Sequence, residues 1–138
     1  YKFYEKKEEL AEIVLNSNRD VITATNNVNK QFKMNNDFPI FMALIDIAWF
    51  REDVIPITTH VPTGIGAEPY LDRLQKFLNL NSHQDVGLKM IELQREYWPE
   101  AKREFYPIDI EYQSCECRKY FSYMNGTKKF EGKNLFLV

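Results

Sequence analysis

Cysteine is nearly absent from this chain of 138 residues, and the two that occur, Cys115 and Cys117, are separated by a single residue. A disulfide across that spacing would be strained, so no disulfide scaffold is expected and the thiols favour a reducing, cytoplasmic setting. Histidine is equally scarce, with only His60 and His83, and no Cys or His pairs fall at metal-ligand spacing. Neither sign of charge prevails: 18 basic against 20 acidic residues leave a formal charge of −2, too little for a phosphate-tracking surface to be the first expectation. The longest apolar run, Phe38 to Phe50, is interrupted by Asp46 and is too short to cross a bilayer. No signal peptide is visible, and since the chain begins at Tyr1 rather than at a methionine, removal of an N-terminal address is compatible with the sequence.

What is present is an ordinary globular composition, 44% hydrophobic and 28% charged, at a length suited to one domain over 1–138. The apolar spacing divides the chain near Pro107. Residues 1–106 repeat with a helical period and residues 107–138 read as mainly β, which predicts an α+β fold. Five to six helices would form an N-terminal body around a buried central helix at about 39–52, followed by a C-terminal antiparallel β-meander of three to four short strands.

Several signals carry this reading. Phe3, Leu10 and Val14 share one stripe of a first helix over 3–16, and Asp20 precedes the 3/4/4 spacing of Val21, Ala24, Val28 and Phe32. Pro39 stands in the first turn of the third helix, whose apolar residues surround the axis and predict cover on nearly all sides. Pro56, Pro62, Gly64 and Gly66 break residues 53–67 into the longest irregular connection, with Val54 to Ile57 as a short extended piece. Glu68-Pro69 opens another helix, and Ser82 with Asp85 resembles a capping box before the next. Residues 100–106 would add a short helix. Beyond Pro107, Ile108, Ile110 and Tyr112 alternate with Asp109 and Glu111, and Asn125-Gly126 suits a type I′ hairpin turn between strands at 117–124 and 127–131. Leu135 to Val138 would supply a last strand; this apolar end also fits a fragment of a longer chain, whose open edge would want pairing.

No stretch carries a catalytic or cofactor signature, so no cofactor or metal is expected. Thr63 to Pro69 has glycines before a helix, yet Pro69 replaces the small residue a dinucleotide fingerprint wants and Glu68 puts negative charge at the helix start. The aromatic C-terminal region points instead to a partner. Tyr112, Tyr120 and Tyr123, interleaved with Arg118 and Lys119, would place rigid contact area on the outer face of the sheet. Stacking on nucleic acid is the weaker reading at near-neutral local charge. The leading expectation is therefore a protein-interaction module, such as a small inhibitor or immunity-type protein, or a subunit or adaptor of a larger assembly. The alternative is a small acid–base or metal-assisted hydrolase or nuclease on the 53–68 loop, using His60 with Asp46, Asp53 or Glu68. Asp46 within an apolar helix must be paired, protonated or turned to a cavity if it is buried.

Overall fold

The computed structural model describes residues 2–34, 36–64 and 66–128. Seven helices are formed among them: α1 (Lys2–Glu5), α2 (Lys7–Leu15), α3 (Val21–Phe32), α4 (Phe38–Phe50), α5 (Glu68–Leu78), α6 (His83–Tyr97) and α7 (Pro107–Met124). The described residues contain no strand, so the expected α+β class and its β-meander are corrected to an all-helical architecture. The strands expected at 129–131 and 135–138 lie outside the described residues.

Alpha7 shows why the alternation at 108–112 misleads. Pro107 occupies its first turn, where a missing N–H costs nothing, and the Asp109 carboxylate accepts the Tyr106 backbone N–H at 2.7 Å. Its buried residues include Ile108, Glu111 and Ser114, a 3-residue step along one helical stripe. Two of those three are polar, so the stripe does not register as apolar, whereas the short Ile108-Ile110-Tyr112 run does. Gly126 does take positive φ, at 67°, but Asn125 sits at −86°, which excludes a type I′ turn. The pair closes the helix instead: the Gly126 N–H donates to Tyr123 O and the Thr127 N–H to Ser122 O, each at 3.0 Å, the two bonds of a Schellman motif.

The other helices follow their local signals. The Asp20 side chain accepts the Thr23 N–H at 2.7 Å to start α3, and the Ser82 Oγ accepts the Asp85 N–H at 3.1 Å to start α6. The first helix breaks at Lys6 into α1 and α2, and residues 98–106 form turns and irregular chain instead of a short helix. That segment is fixed by Gln94, whose Nε2 donates to Arg103 O at 2.8 Å and whose Oε1 accepts the Phe105 N–H at 2.5 Å. Alpha4 is less enclosed than its composition predicts. Ile40, Phe41, Leu44, Ile45 and Ala48 are buried, while Phe38, Asp46, Trp49 and Phe50 are exposed. Only one face of the helix meets α3 and the following connection.

Burial gathers into two apolar clusters. The first combines α2, α3 and α4 with Ile55, Ile57 and Val61, and with Ile108 of α7. The second joins Ala67 and Leu71 to Val86 of α6 and Ile110 of α7. Two residues apart on one helix, Ile108 and Ile110 therefore serve different cores.

Candidate functional site

The connection from α4 to α5 positions the polar groups. Ile55, Ile57, Thr59 and Val61 turn inward on alternate positions, and the Thr59 Oγ1 accepts the N–H of Val21 at 3.3 Å, anchoring the connection to the start of α3. His60, on the opposite alternation, is exposed. Past Pro62 the connection meets α5, α6 and α7.

At that junction Thr63, His83 and Asp72 form a hydrogen-bonded chain. The His83 Nε2 lies 2.8 Å from Asp72 Oδ1, and its Nδ1 lies 3.0 Å from Thr63 Oγ1. In the tautomer of a neutral imidazole that carries its proton on Nε2, His83 donates to the Asp72 carboxylate and its Nδ1 accepts from the Thr63 hydroxyl. The order acid, imidazole, hydroxyl is that of a nucleophile relay. Its setting argues for a tie instead. The cavity beside it, bordered by His60, Thr63, His83 and Glu111, holds about 30 Å³, the room of roughly one water.

The sequence-predicted catalytic set is not brought together. His60 borders this cavity, while Asp46, Asp53 and Glu68 are exposed and border none of it. Asp46 points away from the core of α4, so its presence in an apolar helix needs no compensation. Asp53 is held in a bidentate pair by Arg51, with bonds of 2.8 and 2.7 Å. The carboxylate that does reach the interior is Glu111, whose signal in the sequence is its place on the α7 stripe between Ile108 and Ser114.

Glu111 is 6% exposed. Burial pushes its carboxyl above the usual range, partly offset by a hydrogen bond from the Gly64 backbone N–H. It borders the small cavity and also a groove of about 660 Å³ lined by α4, α7 and by Pro62, Thr63, Gly64 and Gly66. Phe38 and Phe41, packed edge-on with centroids 6.4 Å apart, form one wall, and Tyr112, Cys115 and Lys119 of α7 form another. The Tyr112 hydroxyl is 3.1 Å from Met42 Sδ, and burial, then the neighbouring Glu111, Asp46 and Asp109, raise its pKa. Lys119 is engaged by Glu116 at 2.5 Å. Asp37 and Glu116 complete the charged groups of the groove, which are acidic on balance. Its floor is tight: a Cβ at Gly66 would stand 2.8 Å from Cys115 Sγ.

A second surface lies on the next face of α7, and its pocket shares no lining residue with the groove. Phe121 stacks on Tyr70 of α5 with centroids 5.9 Å apart, Tyr120 meets Phe121 edge-on at 5.6 Å, and the Arg73 guanidinium sits 5.9 Å over the Phe121 ring. Arg118 belongs here as well, its Nε donating to Gly66 O at 2.6 Å. The helix thus separates residues that a strand would have shared out by odd and even positions. Tyr112 and Lys119, seven apart, face the groove; Arg118, Phe121 and Ser122 line a shallow pocket of about 250 Å³; Tyr120 and Tyr123 remain exposed nearby. Among the described residues no group of His, Cys, Asp or Glu could hold a metal ion, and no helix is long and apolar enough to cross a membrane. No protein-family model matches the chain, and neither a curated protein nor a solved structure matches it significantly.

Proposed function

We propose that this chain is a protein-interaction module, in the manner of a small inhibitor or immunity-type protein or of a subunit or adaptor, and that the aromatic and arginine surface of α5 and α7 is its contact face. The observation that carries this reading is the exposure of Tyr120, Phe121, Tyr123 and Met124 on successive turns, beside Arg73 and Arg118. Tyrosine supplies large contact area with few rotamers to freeze, and arginine supplies a planar fork of donors that stacks on rings, which is why both are enriched where binding energy concentrates at protein interfaces. Phe50 and Phe77, also exposed, are consistent with a chain that meets other surfaces. The balanced charge makes a protein a better occupant than nucleic acid, and free Cys115 and Cys117 agree with a cytoplasmic setting.

The test is capture of a stoichiometric partner from native lysate, followed by affinity measurement with purified components. Tyr120→Ala should weaken the complex by about 2 kcal/mol, roughly thirtyfold, while His60→Ala leaves it unchanged. Equal affinities for the parent and for Tyr120→Ala and Tyr123→Ala would remove this face from consideration. The Thr63–His83–Asp72 chain favours one other reading, a small acid–base hydrolase, against which the narrow cavity counts. Hydrolase activity that disappears with His83→Ala but survives Tyr120→Ala would promote it.

A further inference from the structure

The groove between α4, α7 and the stretch of Pro62, Thr63, Gly64 and Gly66 is distinct from the aromatic contact face and asks for a different ligand. From its shape and charge we infer that it is a binding site for an organic cation, a primary ammonium carried on an aromatic or aliphatic body, with Glu111 as the counter-ion. The volume of about 660 Å³ is that of a small-molecule site. Phe38, Phe41 and Tyr112 offer ring faces and apolar area to the body of such a ligand, and a cation close to those rings gains from their quadrupoles.

Glu111 supplies the selectivity. It is almost wholly buried, and among the described residues no lysine, arginine or histidine forms an ion pair with it. A carboxylate offers about four lone-pair sites, and among the described residues the donor recorded for it is the Gly64 backbone N–H. Buried carboxylates are ordinarily matched by a cation, because an uncompensated one is costly. Lys119, the one basic residue among the described residues that line the groove, is taken by Glu116. With Asp37 and Glu116 at the same opening, an anion would be repelled and a cation drawn in. A metal ion is a poor match, since hard cations take six or more oxygen ligands and the groove is largely apolar. An ammonium needs only a few acceptors and profits from the rings.

Phenethylammonium is a suitable probe, with 2-phenylethanol as its neutral counterpart and phenylacetate as its anionic one, each titrated into the 15N-labelled full chain. The amine should bind with a Kd of about 1 mM, as expected for so small a ligand. Its shifts should fall on Gly64, Gly66, Glu111, Tyr112 and Cys115, with the alcohol at least about tenfold weaker and the acid not binding. Glu111→Gln should abolish the preference for amine over alcohol, and Glu116→Gln should reduce it only slightly. Absence of amine binding up to about 10 mM, equal binding of amine and alcohol to the parent chain, or a preference that survives Glu111→Gln would each overturn the assignment. The comparison within the parent chain decides the matter even if a variant does not fold. Because the groove shares no lining residue with the pocket of Arg118 and Phe121 beside Tyr120, either result leaves the partner-binding proposal standing.

Discussion

Gly66 and Cys115 form a contact whose energy can be worked out and measured. A Cβ built on Gly66 would lie 2.8 Å from the Cys115 Sγ, whereas ordinary contact begins near 3.4 Å. The thiol, held on α7, must turn or the helix must move by more than half an ångström, and such overpacking costs about 1–3 kcal/mol. Against this, Gly66 does not have the positive φ that resists a side chain, so replacing it with alanine restricts the unfolded chain and recovers about 0.4–1 kcal/mol. Gly66→Ala should therefore lose about 1 kcal/mol in the parent, and no more than about 2.6 kcal/mol. In a Cys115→Ala background the nearest remaining atom is Cβ at 3.7 Å, ordinary contact, and the same substitution should become stabilising by about 0.4–1 kcal/mol. Urea unfolding followed by far-UV circular dichroism gives the four free energies of the cycle, provided the slope stays constant. The same effect of Gly66→Ala in both backgrounds would refute the reasoning and show that the connection and α7 do not press on one another there.

Leu44→Ala and Ile45→Ala should each cost about 2–5 kcal/mol in the same assay, and losses under about 1 kcal/mol at both would show that α4 is not central. Gly126→Val should cost about 1–2 kcal/mol and speed amide exchange at Thr127, whose N–H bonds to Ser122 O; unchanged exchange would contradict the helix-ending motif. Glu111→Gln should stabilise the fold at neutral pH, because Gln keeps an oxygen for the Gly64 N–H and cannot ionise. The sign follows from its raised pKa: the stability tied to protonated Glu111 is complete below the unfolded value of about 4.3 and is lost as pH rises through the higher folded value. Melting curves at pH 4 and pH 8 should show the variant's advantage only at the higher pH, and a variant less stable than the parent at pH 8 would negate the argument.

Elements with local chemistry were legible in the sequence. Asp20 and Ser82 declare the starts of α3 and α6 because each cap depends on a residue and its third neighbour alone. Alpha7 was not, because Glu111 and Ser114 occupy buried positions where periodicity looks for apolar residues, and a five-residue alternation filled the gap. Gly126 was read correctly as a position of positive φ and assigned to the wrong turn, since hairpins and helix ends both use it. The groove could not be read either. Phe38, Thr63 and Glu111 are far apart in sequence, and only the packing of α7 against the α4–α5 connection unites them.

The division of labour between Ile108 and Ile110 bears on how the molecule folds. Apart from α7, the buried members of the first cluster come from residues 14–61 and those of the second from 67–86, so each half can condense from contacts close in sequence. One helical turn joins the two, and the expected outcome is that they unfold as a single cooperative unit. Loosening that turn with Ile108→Ala or Ile110→Ala would let the halves melt apart, and far-UV dichroism and tryptophan emission, with Trp49 beside Tyr106 and Trp98 beside Phe105, would cease to trace one transition.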